Sequence, residues 1–292
     1  MPAVDRIVRI LREKASYWMP HVKDKTATKS DLSVFYRNRL DYHKMTAGGD
    51  KLSHPQVQLF LSHLKPHDIC LEFGCGGGVV LSGVVRLAQK VIGLDYSRIG
   101  LKGAKEKNVS HNKAVLVESD IAHAPIAHSA VDVVYSFEVL EHVWNPAVVL
   151  DEMVRVLKPG GLLFFSTPNG FSLDLHLERR PILRAIDYMG ALRICAISWL
   201  TKKVFWNMEP DLKCAQVYPD CDMITKIFAG SLERYLKSKG MEVEKCDTFF
   251  FQREKCSSIK DKEKFVRYEM HPFIRHFGDH ILVVARKINK TL

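Results

Sequence analysis

Between residues 69 and 166 the chain alternates short apolar runs with longer stretches whose apolar residues recur at helical spacing. The runs at 69–73, 91–94, 114–117, 131–135 and 161–166 predict strands, and the stretches at 78–89, 98–107 and 146–157 predict the helices between them. Short apolar strands separated by amphipathic helices imply βαβ units and a mainly parallel sheet. Upstream, Ser53 and Gln56 form a capping-box pattern with Pro55 in the first turn, which predicts a helix to about Leu64. Lys158-Pro159-Gly160-Gly161 stops the helix at 146–157 and turns the chain into the next strand.

The regular order breaks after that strand. Residues 167–220 are rich in aromatic and aliphatic side chains, and within 182–206 the charges are mostly basic (Arg184, Arg193, Lys202, Lys203). So long a stretch exceeds an ordinary αβ loop and predicts an inserted helical cap. A helix at 224–239, a strand at 241–250, a charged stretch at 252–278 and a last strand at 280–286 follow. At the other end, Val4, Ile7, Val8 and Leu11 are interleaved with Arg6, Arg9, Arg12 and Lys14, the pattern of a basic amphipathic helix. The expected organisation is therefore an N-terminal helix and connection over 1–50, then one α/β domain over 51–292 with the cap at about 167–220.

Composition narrows the setting. A hydrophobic content of 47% supports a sizeable core. The seven cysteines (Cys70, Cys75, Cys195, Cys214, Cys221, Cys246, Cys256) are odd in number and include no Cys-x-x-Cys pair, which argues against a disulfide framework or a zinc knuckle. No signal peptide is visible and no apolar run reaches the ~20 residues of a membrane span, so a reducing, cytoplasmic setting is expected. The formal charge of +10 favours anionic partners such as nucleic acid, anionic lipid or an acidic substrate. The basic segments 4–14 and 182–206 leave two readings open: packing on the core or a dimer interface, and peripheral attachment to an anionic membrane.

The candidate chemistry starts at Glu72-Phe73-Gly74-Cys75-Gly76-Gly77-Gly78, where a strand turns through glycines into a helix. Such a turn exposes backbone N–H groups and a positive dipole end beside a crevice, and glycine lets a ligand approach the backbone closely. A dinucleotide fingerprint would need a glycine where Val79 stands, and the Gly-Lys-Ser/Thr of a phosphate loop is absent. Asp95 follows the second strand about twenty residues after the loop, where a carboxylate can accept both ribose hydroxyls of an adenosine; Ser97 can cap the next helix. Asp120, after the third strand, can accept the adenine amine while Ile121 covers the ring, although Asp at a strand end is also a common turn residue.

The acid–Gly-x-Gly-x-Gly pattern resembles the first motif of the class I S-adenosylmethionine-dependent methyltransferases. Val131-Asp132-Val133-Val134-Tyr135-Ser136-Phe137-Glu138-Val139-Leu140-Glu141-His142-Val143, Leu157-Lys158-Pro159-Gly160-Gly161 and Ser166-Thr167-Pro168-Asn169 extend the resemblance to the type that includes the ubiquinone-biosynthesis methyltransferases, over residues 69 to about 169. It implies a doubly wound, Rossmann-like α/β fold with a seven-stranded, mainly parallel sheet whose last strand is antiparallel. It also implies S-adenosylmethionine as cofactor. Gly74, Gly76 and Gly78 match the cofactor loop, with Glu72 and Cys75 beside them. Asp95 with Tyr96 matches the ribose motif, Asp120 with Ile121 the adenine contacts, and Phe137 with Glu138 the strand end beside the methionine part.

Glu138, Glu141 and His142 sit at i, i+3 and i+4, the spacing of one helical face. His142 with Glu141 is the expected catalytic pair, with His142 as general base for a hydroxyl nucleophile. A divalent ion held by the three, as in small-RNA and quinone-type O-methyltransferases, is the alternative, and no metal ligand is assigned. The expected function is methyl transfer to an oxygen of a small apolar or quinone-like acceptor. Its rivals are an RNA methyltransferase, which would use the basic charge, and a cofactor-binding subunit without turnover.

Overall fold

Residues rich in Val, Ile and Leu, apolar on both sides of the chain, can only be strands that are covered on both faces. The computed structural model, which describes residues 51–107, 112–170, 204–207, 223–249 and 278–289 with positions 189, 200, 263 and 267, has them so. Strands β1 (Ile69–Phe73), β2 (Lys90–Asp95), β3 (Ala114–Glu118), β4 (Val131–Phe137) and β5 (Leu157–Pro168) run parallel. Two short strands, β6 (Phe205–Asn207) and β7 (Thr225–Ile227), pair apart from them. Finally β8 (Met241–Phe249) and β9 (His280–Lys287) complete a seven-stranded sheet of order β3-β2-β1-β4-β5-β9-β8, in which β9 is antiparallel to both neighbours.

Helices cover both faces. Helices α1 (Pro55–Ser62) and α2 (Val79–Leu87) place Val57, Phe60, Leu81 and Val84 against Cys70, Tyr135 and Phe164. Helix α3 (Arg98–Lys107) connects β2 to β3. On the other face α4 (Pro146–Val156) and α5 (Ala229–Ser238) bury Leu150, Met153, Leu232 and Leu236 against Leu71, Val134, Leu163 and Val283. The expected doubly wound architecture with its antiparallel last strand is present. Because every parallel strand ends on the same edge, the loops after β1, β2, β3 and β4 gather there, at the crevice where such sheets bind ligands.

Three local expectations change. The predicted capping box does not form: His54 is the N-cap of α1 without a side-chain bond, and Gln58 Nε2 instead donates to Leu52 O at 2.6 Å. The helix expected from 224 begins at Ala229, because Thr225 and Ile227 alternate as buried residues of β7. The strand expected at 161 begins at Leu157, which already pairs with Val131 ahead of a register shift. The amphipathic segment 4–14 and nearly all of the cap lie outside the described residues. Of the cap, β6 is a strand, and Met189 and Leu200 are exposed helical positions.

Phe164 is fully buried, its ring centroid 5.1 Å from that of Phe60 and 5.9 Å from that of Phe137. Phe164→Ala should cost about 3–5 kcal/mol through lost burial and the cavity left behind. Urea unfolding checks it; a loss below about 1 kcal/mol would show that this face of the core repacks freely.

Candidate active site

The glycine loop is set by what surrounds each residue. Gly74 has φ 73°, and a Cβ there would lie 2.6 Å from a methyl of Val139, which sits in the turn after β4. Gly76 has φ 47°, but a Cβ would meet nothing within 4 Å. The first glycine is thus required by packing, and the second faces open space, where a side chain would meet only the strain of its left-handed backbone and any bound ligand. Gly78 is the N-cap of α2.

The loop's N–H groups are less available than the sequence suggests. Those of Gly74 and Cys75 both donate to Leu94 O (2.8 and 2.9 Å), that of Gly78 to Cys75 O (2.8 Å), and that of Gly76 to Asp95 Oδ2 (2.7 Å). This is poor provision for a phosphate and suits a ligand met by shape. Asp95 Oδ1 accepts from Ser97 N at 2.8 Å, and Ser97 Oγ in turn accepts from Gly100 N at 3.2 Å, capping α3 as expected. Asp95 is thereby oriented by a backbone bond at each carboxylate oxygen. Tyr96 is half-buried beside it.

Asp120 is the N-cap of a short 3-10 turn, Ile121–His123, and accepts from Ala122 N at 2.9 Å, the ordinary turn role of an Asp. Ile121 packs at the edge of the core. The Phe137 ring joins the aromatic cluster of Phe60, Tyr135 and Phe164. Cys75 is buried and its thiol pKa is pushed well up by that burial. Glu72 is buried before the loop and accepts a hydrogen bond from the Tyr135 hydroxyl at 3.0 Å. Burial lifts its carboxyl to about 8 against the opposing pull of that bond.

Glu138, Glu141 and His142 do not share one helical face. Glu138 is a non-glycine residue at φ 55°, and a separate 3-10 turn, Leu140–His142, follows it. Glu141 is buried: Oε2 accepts from Thr167 Oγ1 at 2.9 Å, while Oε1 has no hydrogen-bond partner and lies 3.5 Å from His142 Nε2. Burial raises the Glu141 carboxyl to about 8, with His142 pulling the other way. Glu138 pairs elsewhere, with Ser166 Oγ and with His280 Nε2 at 3.3 Å. Burial favours its neutral form, yet the charge of His280 and the bonds from His280 and Ser166 hold it below the ordinary carboxylate range. Among the described residues, no three His, Cys, Asp or Glu side chains are gathered so as to hold a metal ion. His280 was not foreseen from the sequence. Its only signal is its position at the first residue of the last strand, whose pairing with Pro168 brings it to the crevice.

Residues 71–165 match the sequence profile of a family described as methyltransferase domain. Over this segment the chain carries a methyltransferase domain similar to those of class I S-adenosylmethionine-dependent enzymes. A probable S-adenosylmethionine-dependent methyltransferase of Mycolicibacterium smegmatis is 38% identical to the chain over 121 residues, 40% of this chain and 44% of that protein. The ubiquinone biosynthesis O-methyltransferase of Vibrio cholerae is 37% identical over 101 residues, 34% of this chain and 41% of that one. The chain thus matches less than half the length of either relative. Among solved structures, an S-adenosylmethionine-dependent methyltransferase from Mesorhizobium loti has the same fold, with TM-score 0.55, 19% identity, and coverage of 82% of this chain and 99% of the other.

These residues offer S-adenosylmethionine an open space at Gly76 and an oriented acid in Asp95. The buried Glu72 gives a checkable consequence. A carboxyl raised from 4.5 to about 8 stays protonated in the folded state while the unfolded chain ionises. Its contribution to stability is therefore full below about pH 4.5 and lost as pH rises through about 8. Glu72→Gln should remove that part of the decline, so its melting temperature should gain on the wild type as pH goes from 5 to 8.5. A difference that does not change with pH would mean Glu72 is ionised in the folded protein.

Proposed function

We propose that this chain transfers a methyl group from S-adenosylmethionine to an oxygen of a small apolar or quinone-like acceptor. The observation that carries the reading is the Glu141–His142 pair, held on a turn that packs through Val139 directly against Gly74 of the cofactor loop. When bound, S-adenosylmethionine supplies a methyl group already activated on a sulfonium. The chain's own task is then to align the acceptor, exclude water and remove a proton.

In this reading the glycine loop receives the cofactor at Gly76, Asp95 accepts the ribose hydroxyls with Tyr96 beside it, and Asp120 with Ile121 serves the adenine. Glu72 and Cys75 support the loop from beneath. Phe137 packs the end of β4, and Glu138 presents a carboxylate to the methionine part. His142 takes the proton of the acceptor hydroxyl. With a proton on the nitrogen facing Glu141, Nδ1 is the basic atom, and the imidazolium that forms favours ionisation of Glu141, whose carboxylate then steadies it. Thr167 fixes the Glu141 carboxyl through its hydroxyl. The oxygen acceptor is supported by this base and by the likeness to a relative named as an O-methyltransferase.

Two results test the assignment. Gly76→Val should abolish S-adenosylmethionine binding in calorimetry while the protein stays folded, and Asp95→Ala should weaken it by about 1.5–3 kcal/mol, the worth of charge-assisted hydrogen bonds. Unchanged affinity in a folded Gly76→Val protein would remove the cradle from the site. With methyl-labelled cofactor and fractionated cell extract, label should enter an apolar small-molecule fraction; label in RNA would change the acceptor class, and binding without any labelled product would point to a subunit without turnover. His142→Gln should then lower the turnover of the labelled acceptor by about 10²–10⁴-fold, the usual share of a general base, with cofactor affinity little changed.

A further inference from the structure

A non-glycine residue in the left-handed region costs on the order of 1–3 kcal/mol and persists only where its surroundings over-determine it. Glu138, at φ 55°, is so determined. Its N–H donates to Ser166 O at 3.1 Å, Ser166 Oγ donates to one carboxylate oxygen, and His280 Nε2 reaches the other at 3.3 Å. Strands β5 and β9 therefore each hold one oxygen of the same side chain.

His280 is itself anchored on every side. Its Nδ1 lies 2.9 Å from Asp279 Oδ1, and its ring stacks on Phe249 of β8, with centroids 5.5 Å apart and planes at 29°. The short segment before it is fixed too. Asp279 O accepts from Asn169 N and Gly278 O from Asn169 Nδ2, both at 2.8 Å, while Gly278 N donates to Thr248 Oγ1 at 2.8 Å. Flanked by two carboxylates, His280 is held well above the ordinary histidine range despite its burial, so both ring nitrogens carry donors.

Resting on the cofactor reading above, we propose that His280 is a positioning residue for the site. By bridging Asp279 and Glu138 it locks the left-handed turn after β4, and with that turn the Glu138 carboxylate and the Glu141–His142 pair. The connection from Glu138 onward is short and stiff. His142 N donates to Val139 O at 3.0 Å, Ile224 N donates to Glu141 O at 2.8 Å, and Val139 is seated on Gly74. Release of Glu138 thus moves the wall of the cofactor crevice and the base together.

Two near-isosteres separate this role from simple packing. A glutamine at 280 places an amide donor near the Nε2 position, toward Glu138; an asparagine places one near Nδ1, toward Asp279 only. His280→Asn and His280→Ala should each weaken S-adenosylmethionine binding about ten-fold, the loss expected for one hydrogen bond to a charged group. They should also shift the ring resonances of His142 in nitrogen-labelled protein. His280→Gln should stay within about two-fold of wild type and leave those resonances in place. Wild-type affinity in His280→Asn, or a His280→Gln as impaired as His280→Ala, overturns the proposal.

A further measurement needs neither cofactor nor a substitution at 280. In the unliganded wild type both ring N–H protons of His280 should be visible and protected, and Glu138→Gln should move the Nε2 proton alone. If they are absent, the clamp does not exist. If they are present while the wild-type protein binds no S-adenosylmethionine, the clamp stands and the cofactor reading falls.

Discussion

The site depends on one missing side chain. Gly74 leaves room for Val139, so the turn that ends β4 can lie on the loop that ends β1. Parallel neighbours bring those two strand ends together, with Cys70, Leu71 and Glu72 in register with Val133, Val134 and Tyr135. Only the absence of a Cβ, however, lets the two loops touch. Everything further out is placed by that contact: the glycine loop is pinned from behind, and the residues from Glu138 to His142 are held at a set distance from it. Chemistry in which one group must meet another in line tolerates little error in this spacing.

Three buried or half-buried carboxylates lie at the ends of β1 and β4, and the protein does not keep them in one state. Glu138 is held charged by an imidazolium and a hydroxyl, whereas burial pushes Glu72 and Glu141 toward their neutral forms. Ionising Glu141 would set it against the charged Glu138, and ionising Glu72 would set it against Asp95. The unpartnered Glu141 Oε1 is where the structure leaves the least compensation, and His142 is the group placed to supply it.

Much of this was legible in the chain. The apolar runs marked β1 to β4 to within two residues, because strands buried on both faces are written as continuous hydrophobic stretches, whereas β5 begins four residues earlier than expected. The glycine loop and Asp95 were recognisable because their spacing follows from local geometry. What escaped was whatever depended on distant pairing. The short strand β7 was hidden inside a helical pattern, since Ile227 is buried by a partner strand and by Asn169. The spacing of Glu138, Glu141 and His142 suggested one helical face, but a left-handed residue at 138 breaks the period. His280 carries only the signal of opening the last strand, because its place beside Glu138 is created by the antiparallel pairing of β9 with β5.

That pairing has a consequence for how the molecule comes into being. The strand β9 is inserted between β5 and β8, so the sheet grows inward to its last member rather than outward. Arg286 reaches back to Gly160 across 126 residues of chain. During synthesis the cofactor half of the sheet, β1 to β5, emerges and can collapse well before β9 exists, leaving the edge of β5 unpaired for the interval. An early intermediate would therefore possess the glycine loop and lack His280. It would be the form of this chain most exposed to mispairing with another strand.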